Sequence, residues 1–126
     1  MAEKLYQVEV RAEPQYVAEQ SSVANDVYVF AYRVRITNTG SEPAQLISRH
    51  WIITDANLQV QEVRGMGVVG EQPHLDPGQV FEYSSAAHIT TPYGSMKGVY
   101  QMMADDGQRF EASIPEMTLV APRVLH

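Results

Sequence analysis

Apolar and polar positions alternate along most of this chain with a period of two, the spacing of a strand that buries one face. Tyr6, Val8, Val10 and Ala12 share one side, with Gln7, Glu9 and Arg11 on the other, predicting a first strand. The pattern is strongest from Val27 to Asn38, where Tyr28, Phe30, Tyr32, Val34 and Ile36 line one face and Arg33, Arg35 and Thr37 the other. Leu46 to Thr54 follows, with Ile47, Trp51 and Ile53 together and Leu46 and Ile52 opposite. In Leu58 to Arg64 the alternation slips between Val60 and Val63, which predicts a bulge near Gln61-Glu62. Val80 to Ile89, Ser95 to Ala104 and Gln108 to Ile114 complete the set, the last followed by a Pro115-bearing tail that ends APRVLH.

Turn chemistry separates these runs. Asn38-Thr39-Gly40-Ser41, Asp55-Ala56-Asn57, Asp76-Pro77-Gly78, Thr91-Pro92-Tyr93-Gly94 and Asp105-Asp106-Gly107 each supply residues suited to reversing the chain. Residues 13 to 26 carry Pro14, two serines and Asn25-Asp26 without periodicity, and read as a connecting loop. No helical period and no repeat intervenes. The pattern predicts an all-β fold: an antiparallel β-sandwich of about seven strands, fibronectin type III or immunoglobulin-like, with Trp51 on an early central strand. A small barrel shares this patterning. The 126 residues fit one domain, 1-126.

Composition then narrows the function. A formal charge of -6, with nine scattered basic residues, does not suit a protein that tracks nucleic-acid phosphates. The apolar runs are shorter than the roughly 20 residues of a membrane-spanning helix, and the N-terminus lacks a signal-peptide pattern, so a cytoplasmic protein with no membrane partner is expected. There is no cysteine, hence no disulfide, thiolate nucleophile or cysteine-built zinc site.

The candidate chemistry concentrates in Arg64-Gly65-Met66-Gly67-Val68-Val69-Gly70. Gly65, Gly67 and Gly70 have the G-x-G-x-x-G spacing of dinucleotide loops, but no helix follows to aim its positive end at a phosphate. One reading is a nest of amides that holds a pyrophosphate, assisted by Arg64. Another is that glycine serves sharp turning or close packing alone. Met66, Val68 and Val69, interleaved with the glycines, suit a contact with a protein partner; the alternative is that the two valines fold back onto the sandwich end as core. His74, Glu71 and Asp76 could meet around a divalent cation only through folding, and no metal or cofactor is expected. Ser84, Ser85 and His88 lack the setting of a nucleophile and its base. No catalytic residue is assigned, and a monomer or weak homodimer is expected.

The blocks SRHWIITDAN, VRGMGVVGEQP, LDPGQVFEYSS and TPYGSMKGVYQM, in this order, resemble the ApaG family from about Tyr6 to Val120. That resemblance implies a fibronectin type III-like sandwich used as an interaction module, as in the ApaG-like modules of an F-box protein and a polymerase δ-interacting protein. For bacterial members it implies an association with cobalt and magnesium resistance and with a neighbouring diadenosine tetraphosphatase, so that diadenosine tetraphosphate is the alternative ligand for the glycine loop. The sequence departs from the family pattern at Asn57-Leu58, where a glycine often follows the asparagine, and at Ala86-Ala87, where a Gly-Cys pair is common. The resulting expectation is a non-catalytic module that binds a protein through the glycine-loop end.

Overall fold

The computed structural model describes residues 3–122 and is built from eight strands with two short 3-10 turns. Strands β1 (Val8–Tyr16), β2 (Tyr28–Asn38) and β6 (Val80–Ile89) form one antiparallel sheet in the order β1-β2-β6. The second sheet runs β4-β3-β7-β8, from β3 (Ala44–Asp55), β4 (Val60–Met66), β7 (Tyr93–Ala104) and β8 (Arg109–Val120). A two-residue strand, β5 (His74–Leu75), also pairs with β3. It raises the count above the seven expected.

The two sheets bury their inner faces against each other. Phe30, Val34 and Ile36 of β2 meet Leu46 and Trp51 of β3 and Tyr100 and Met102 of β7 in one apolar cluster, all almost fully enclosed. Burial of each such side chain contributes about 1.5–3 kcal/mol. Trp51 lies at the centre, its ring centroid 5.3 Å from Tyr32 and 6.5 Å from Tyr100. The strong alternation of β2 is what this packing requires.

Four expectations need correction. Residues 13 to 16 are strand, because β1 is a sheet edge and an edge tolerates Pro14, here opposite Tyr32. Leu46, not Ile47, shares the inner face with Trp51: the β3–β7 register shifts between Leu46 and Ser48, so Ile47 is bulged and the side-chain parity flips. β4 pairs with β3 without a break from Thr54↔Val60 to Ser48↔Met66, so no bulge lies at Gln61-Glu62. Val60 simply faces solvent, and the inward position belongs to Val63, opposite Trp51. Finally, β8 continues through Pro115 to Val120 because a register shift opposite Met96 and Gly98 absorbs the proline and keeps both Ile114 and Met117 buried.

The flanks of the sandwich differ. β1 packs along β8 and closes one side. On the other side β4 and β6 are the outermost strands of their sheets. Among the described residues, no helix is long and apolar enough to cross a membrane.

Candidate functional site

The bulge at Ile47 positions the glycine loop. Its carbonyl accepts the Gly67 N–H at 2.8 Å and the Gln72 side-chain N–H at 2.9 Å. Val68 and Glu71 then exchange backbone hydrogen bonds at 2.7 and 2.9 Å, enclosing Val69 and Gly70, with φ of 43° and 81°. Two left-handed central residues make this a type I′ hairpin turn.

Each glycine answers a different demand. At Gly67, with φ 63°, an added Cβ would lie 2.2 Å from the Glu71 carbonyl oxygen. At Gly65, inside β4, it would lie 2.8 Å from Nη2 of Arg49, whose guanidinium lies across the strand there. Gly70 has open space around it and serves only the left-handed turn. The shared spacing therefore arises from close approach and turning.

The amides of Gly67, Val68 and Glu71 all point at backbone carbonyls, leaving those of Val69 and Gly70 for any anion. Arg64 projects from the outer face, 3.8 Å from Glu62, and shares a shallow depression with Met66, Ser48 and His50. His50 in turn hydrogen-bonds Glu62 at 3.0 Å. Arg64 thus keeps company with the apolar Met66.

The three apolar loop residues separate. Val68 has 0% exposure and belongs to the core cluster, which corrects its assignment as a partner contact: the I′ turn folds it back under the sheet. Met66 and Val69 stay 67% and 56% exposed. The far end of β4 mirrors this. Leu58 is 80% exposed at φ 63°, and Val60 is 60% exposed. The turn before them is held by Asp55, whose Oδ1 accepts the N–H groups of Asn57 and Gln59 at 2.8 and 2.9 Å. At Leu58 the chain occupies the left-handed conformation that a glycine adopts without strain. Both ends of β4 thus present an exposed apolar side chain from a strained backbone position.

Between the rims of β4 and β6 lies a groove of about 250 Å³, bounded by Val63 and by Ser85 to His88, with Tyr32, Arg49 and Trp51 on its floor. Arg49 donates through Nη1 to the carbonyls of Met66 at 3.1 Å and Gly67 at 2.8 Å, and so ties the groove to the glycine turn. Close to its charge the hydroxyls of Tyr83 and Tyr100 hydrogen-bond to each other. Burial pushes the Tyr83 phenol up to about 12, and burial with the neighbouring Tyr83 drives Tyr100 higher still. Arg49 escaped the sequence reading, and Leu58 entered it only as a departure from the family pattern. Arg49 stands two residues from the inward Trp51 and so shares its face, a signal present in the alternation.

His74 bonds Asp105 at 2.7 Å and lies 4.0 Å from Asp76, while Glu71 is held in the hairpin turn. Among the described residues no group of three or more His, Cys, Asp or Glu is placed to hold a metal ion.

These features sit in a chain with clear relatives. Residues 18–104 match the family model described as ApaG domain (DUF525). The chain is 95% identical over 126 residues, the full length of both, to Protein ApaG of Chromobacterium violaceum, and 59% identical over 121 residues to Protein ApaG of Dechloromonas aromatica, covering 96% of this chain and 95% of that one. Among solved structures, a putative ApaA protein from Bordetella pertussis superposes with a TM-score of 0.91 at 55% identity, covering 96% of this chain and 98% of that one. With agreement in sequence and in fold over almost its whole length, the chain belongs to the ApaG family.

Proposed function

We propose that this domain is a non-catalytic binding module that docks a protein partner along the exposed β4 edge, from Leu58 through Val60 and Met66 to Val69. The observation that carries the reading is the placement of Leu58 and Val69. Both occupy left-handed turn positions where glycine or asparagine would fold at lower cost, yet both carry large apolar side chains held out to solvent. Folding alone does not favour that choice, whereas a partner surface that closes over them does. Arg64 and Glu62, between Val60 and Met66, would supply the polar part of the contact. The strand order, β1-β2-β6 facing β4-β3-β7-β8 with the short β5 beside β3, supports a fibronectin type III-like reading of the sandwich, a scaffold on which end loops and edges are free to bind.

The test places a photo-crosslinking side chain at Val69 or at Thr118, an exposed position of β8, and exposes the protein to a bacterial extract. A discrete adduct formed from Val69 and absent from Thr118, and lost when Met66→Asp is added, is the expected result. Equal labelling from both positions would remove the β4 edge as the docking surface.

A further inference from the structure

The reading of β4 as a partner surface leaves open what the partner presents, and the groove beside β4 carries an answer. We infer that the partner supplies an extended segment that adds as a strand to the free edge of β4 and places an acidic side chain in the β4–β6 groove against Arg49. This rests on the proposed docking at β4 and goes further by stating the partner's conformation and charge.

Three observations converge. First, β4 is an outermost strand of its sheet, pairs continuously with β3, and holds neither a proline nor a bulge. Such an edge offers unpaired backbone N–H and C=O groups, and β-augmentation is the recognition mode that uses them. By contrast, β1 contains Pro14 and packs along β8.

Second, the groove floor carries the N–H donors of Arg49 and Trp51 and no carboxylate to face them. Arg49 bonds only neutral carbonyls, and no carboxylate of the described residues lies within ion-pair distance of it. Trp51, on the same floor and almost wholly enclosed, has an indole N–H without a hydrogen-bond partner among the described residues. A guanidinium held by backbone carbonyls in a partly enclosed site is complemented by a carboxylate, through charge-assisted and often paired hydrogen bonds. Third, about 250 Å³ lies below the roughly 300–1,000 Å³ of clefts that enclose a drug-sized ligand, so the space suits one side chain of an incoming strand and not a dinucleotide.

The single tryptophan is a built-in reporter, since Trp51 is the only indole in the chain. The experiment titrates ¹⁵N-labelled full-length protein with acetyl-Thr-Val-Glu-Val-Thr-amide, with its Glu→Gln counterpart, and with N-acetylglutamate amide as the free acid source. Backbone amides and the indole N–H are followed together. The expected result is saturable shifts along β4 and at the indole with the Glu peptide, binding about tenfold weaker with the Gln peptide, and no comparable binding of the single residue. Arg49→Gln should equalise the two peptides while the β4 amides still respond.

Equal affinity of the Glu and Gln peptides on the unaltered protein would overturn the acidic preference and leave the docking edge standing. Shifts at the groove without any along β4 would overturn strand addition. No saturable shift with either peptide would overturn the inference outright, with the crosslinking at Val69 still deciding the broader reading. Thr118→Asn, on the exposed side of β8, keeps the groove intact and should leave the Glu-to-Gln ratio unchanged; a collapsed ratio would overturn the assignment of the acid to the groove.

Discussion

Two residues expose how this chain departs from a sequence chosen for stability alone. Val69 and Leu58 hold positive φ, a conformation that costs an ordinary L-residue about 1–2 kcal/mol. Val69→Asn is expected to raise the unfolding free energy by about 1 kcal/mol, because asparagine tolerates the first central position of an I′ turn. Leu58→Gly should gain less, about 0.5 kcal/mol, since glycine also loses more backbone entropy on folding. Urea unfolding of the two variants checks both signs. Gly67→Ala should act in the opposite direction, with a loss of about 3 kcal/mol, because the methyl group meets the Glu71 carbonyl oxygen and the φ is unfavourable as well. Gly70→Ala has open space and should lose only about 1 kcal/mol, so the same measurement separates close approach from turn geometry.

At the scale of elements, the β3–β4 hairpin depends on Asp55, a nearly buried carboxylate whose oxygen accepts two turn amides. Asp55→Ala leaves both without that acceptor and should cost about 1–3 kcal/mol, with hydrogen exchange rising first at Asn57 and Gln59. The bulges belong to this scale too. Ile47 looks like a core residue from sequence, since it alternates with Trp51 and Ile53, and only the pairing with β7 reveals that it is the extra residue. That shift turns Leu46 inward and frees the Ile47 carbonyl to anchor the glycine turn. In β4, the spacing of Val60 and Val63 suggested a bulge because an exposed valine was counted as inward-facing. Apolar residues at a solvent-facing edge mislead periodicity in this way, since alternation reports burial only where apolar side chains avoid water.

For the whole molecule, the sealed contact between the sheets sets the response to alkali. Tyr83, raised from 10.0 to about 12, and Tyr100, raised further, both keep their protons in the folded state after an unfolded tyrosine would have lost them. Raised folded values contribute stability that is fully present below about pH 10 and falls away as pH climbs towards 12. Chemical unfolding across pH 8–12 should show that decline, and the double variant Tyr83→Phe with Tyr100→Phe should flatten it, the paired hydroxyls having been removed together. The alternation of Tyr28 to Ile36, the turn residues and the absence of any helical period were sufficient for an all-β sandwich, because the period-two burial of a strand is written locally in the side chains. The glycine spacing was equally visible, but its meaning was not, since Arg49 over Gly65 and Glu71 against Gly67 are contacts across the fold. Likewise, only the pairing of strands decided that Val68 is core and Val69 is surface, that one flank is closed by β1 and β8, and that Arg49 faces an open groove. Local sequence determines which residues can form a strand and which can turn; which edges remain free depends on how distant strands pair, and that is decided in three dimensions.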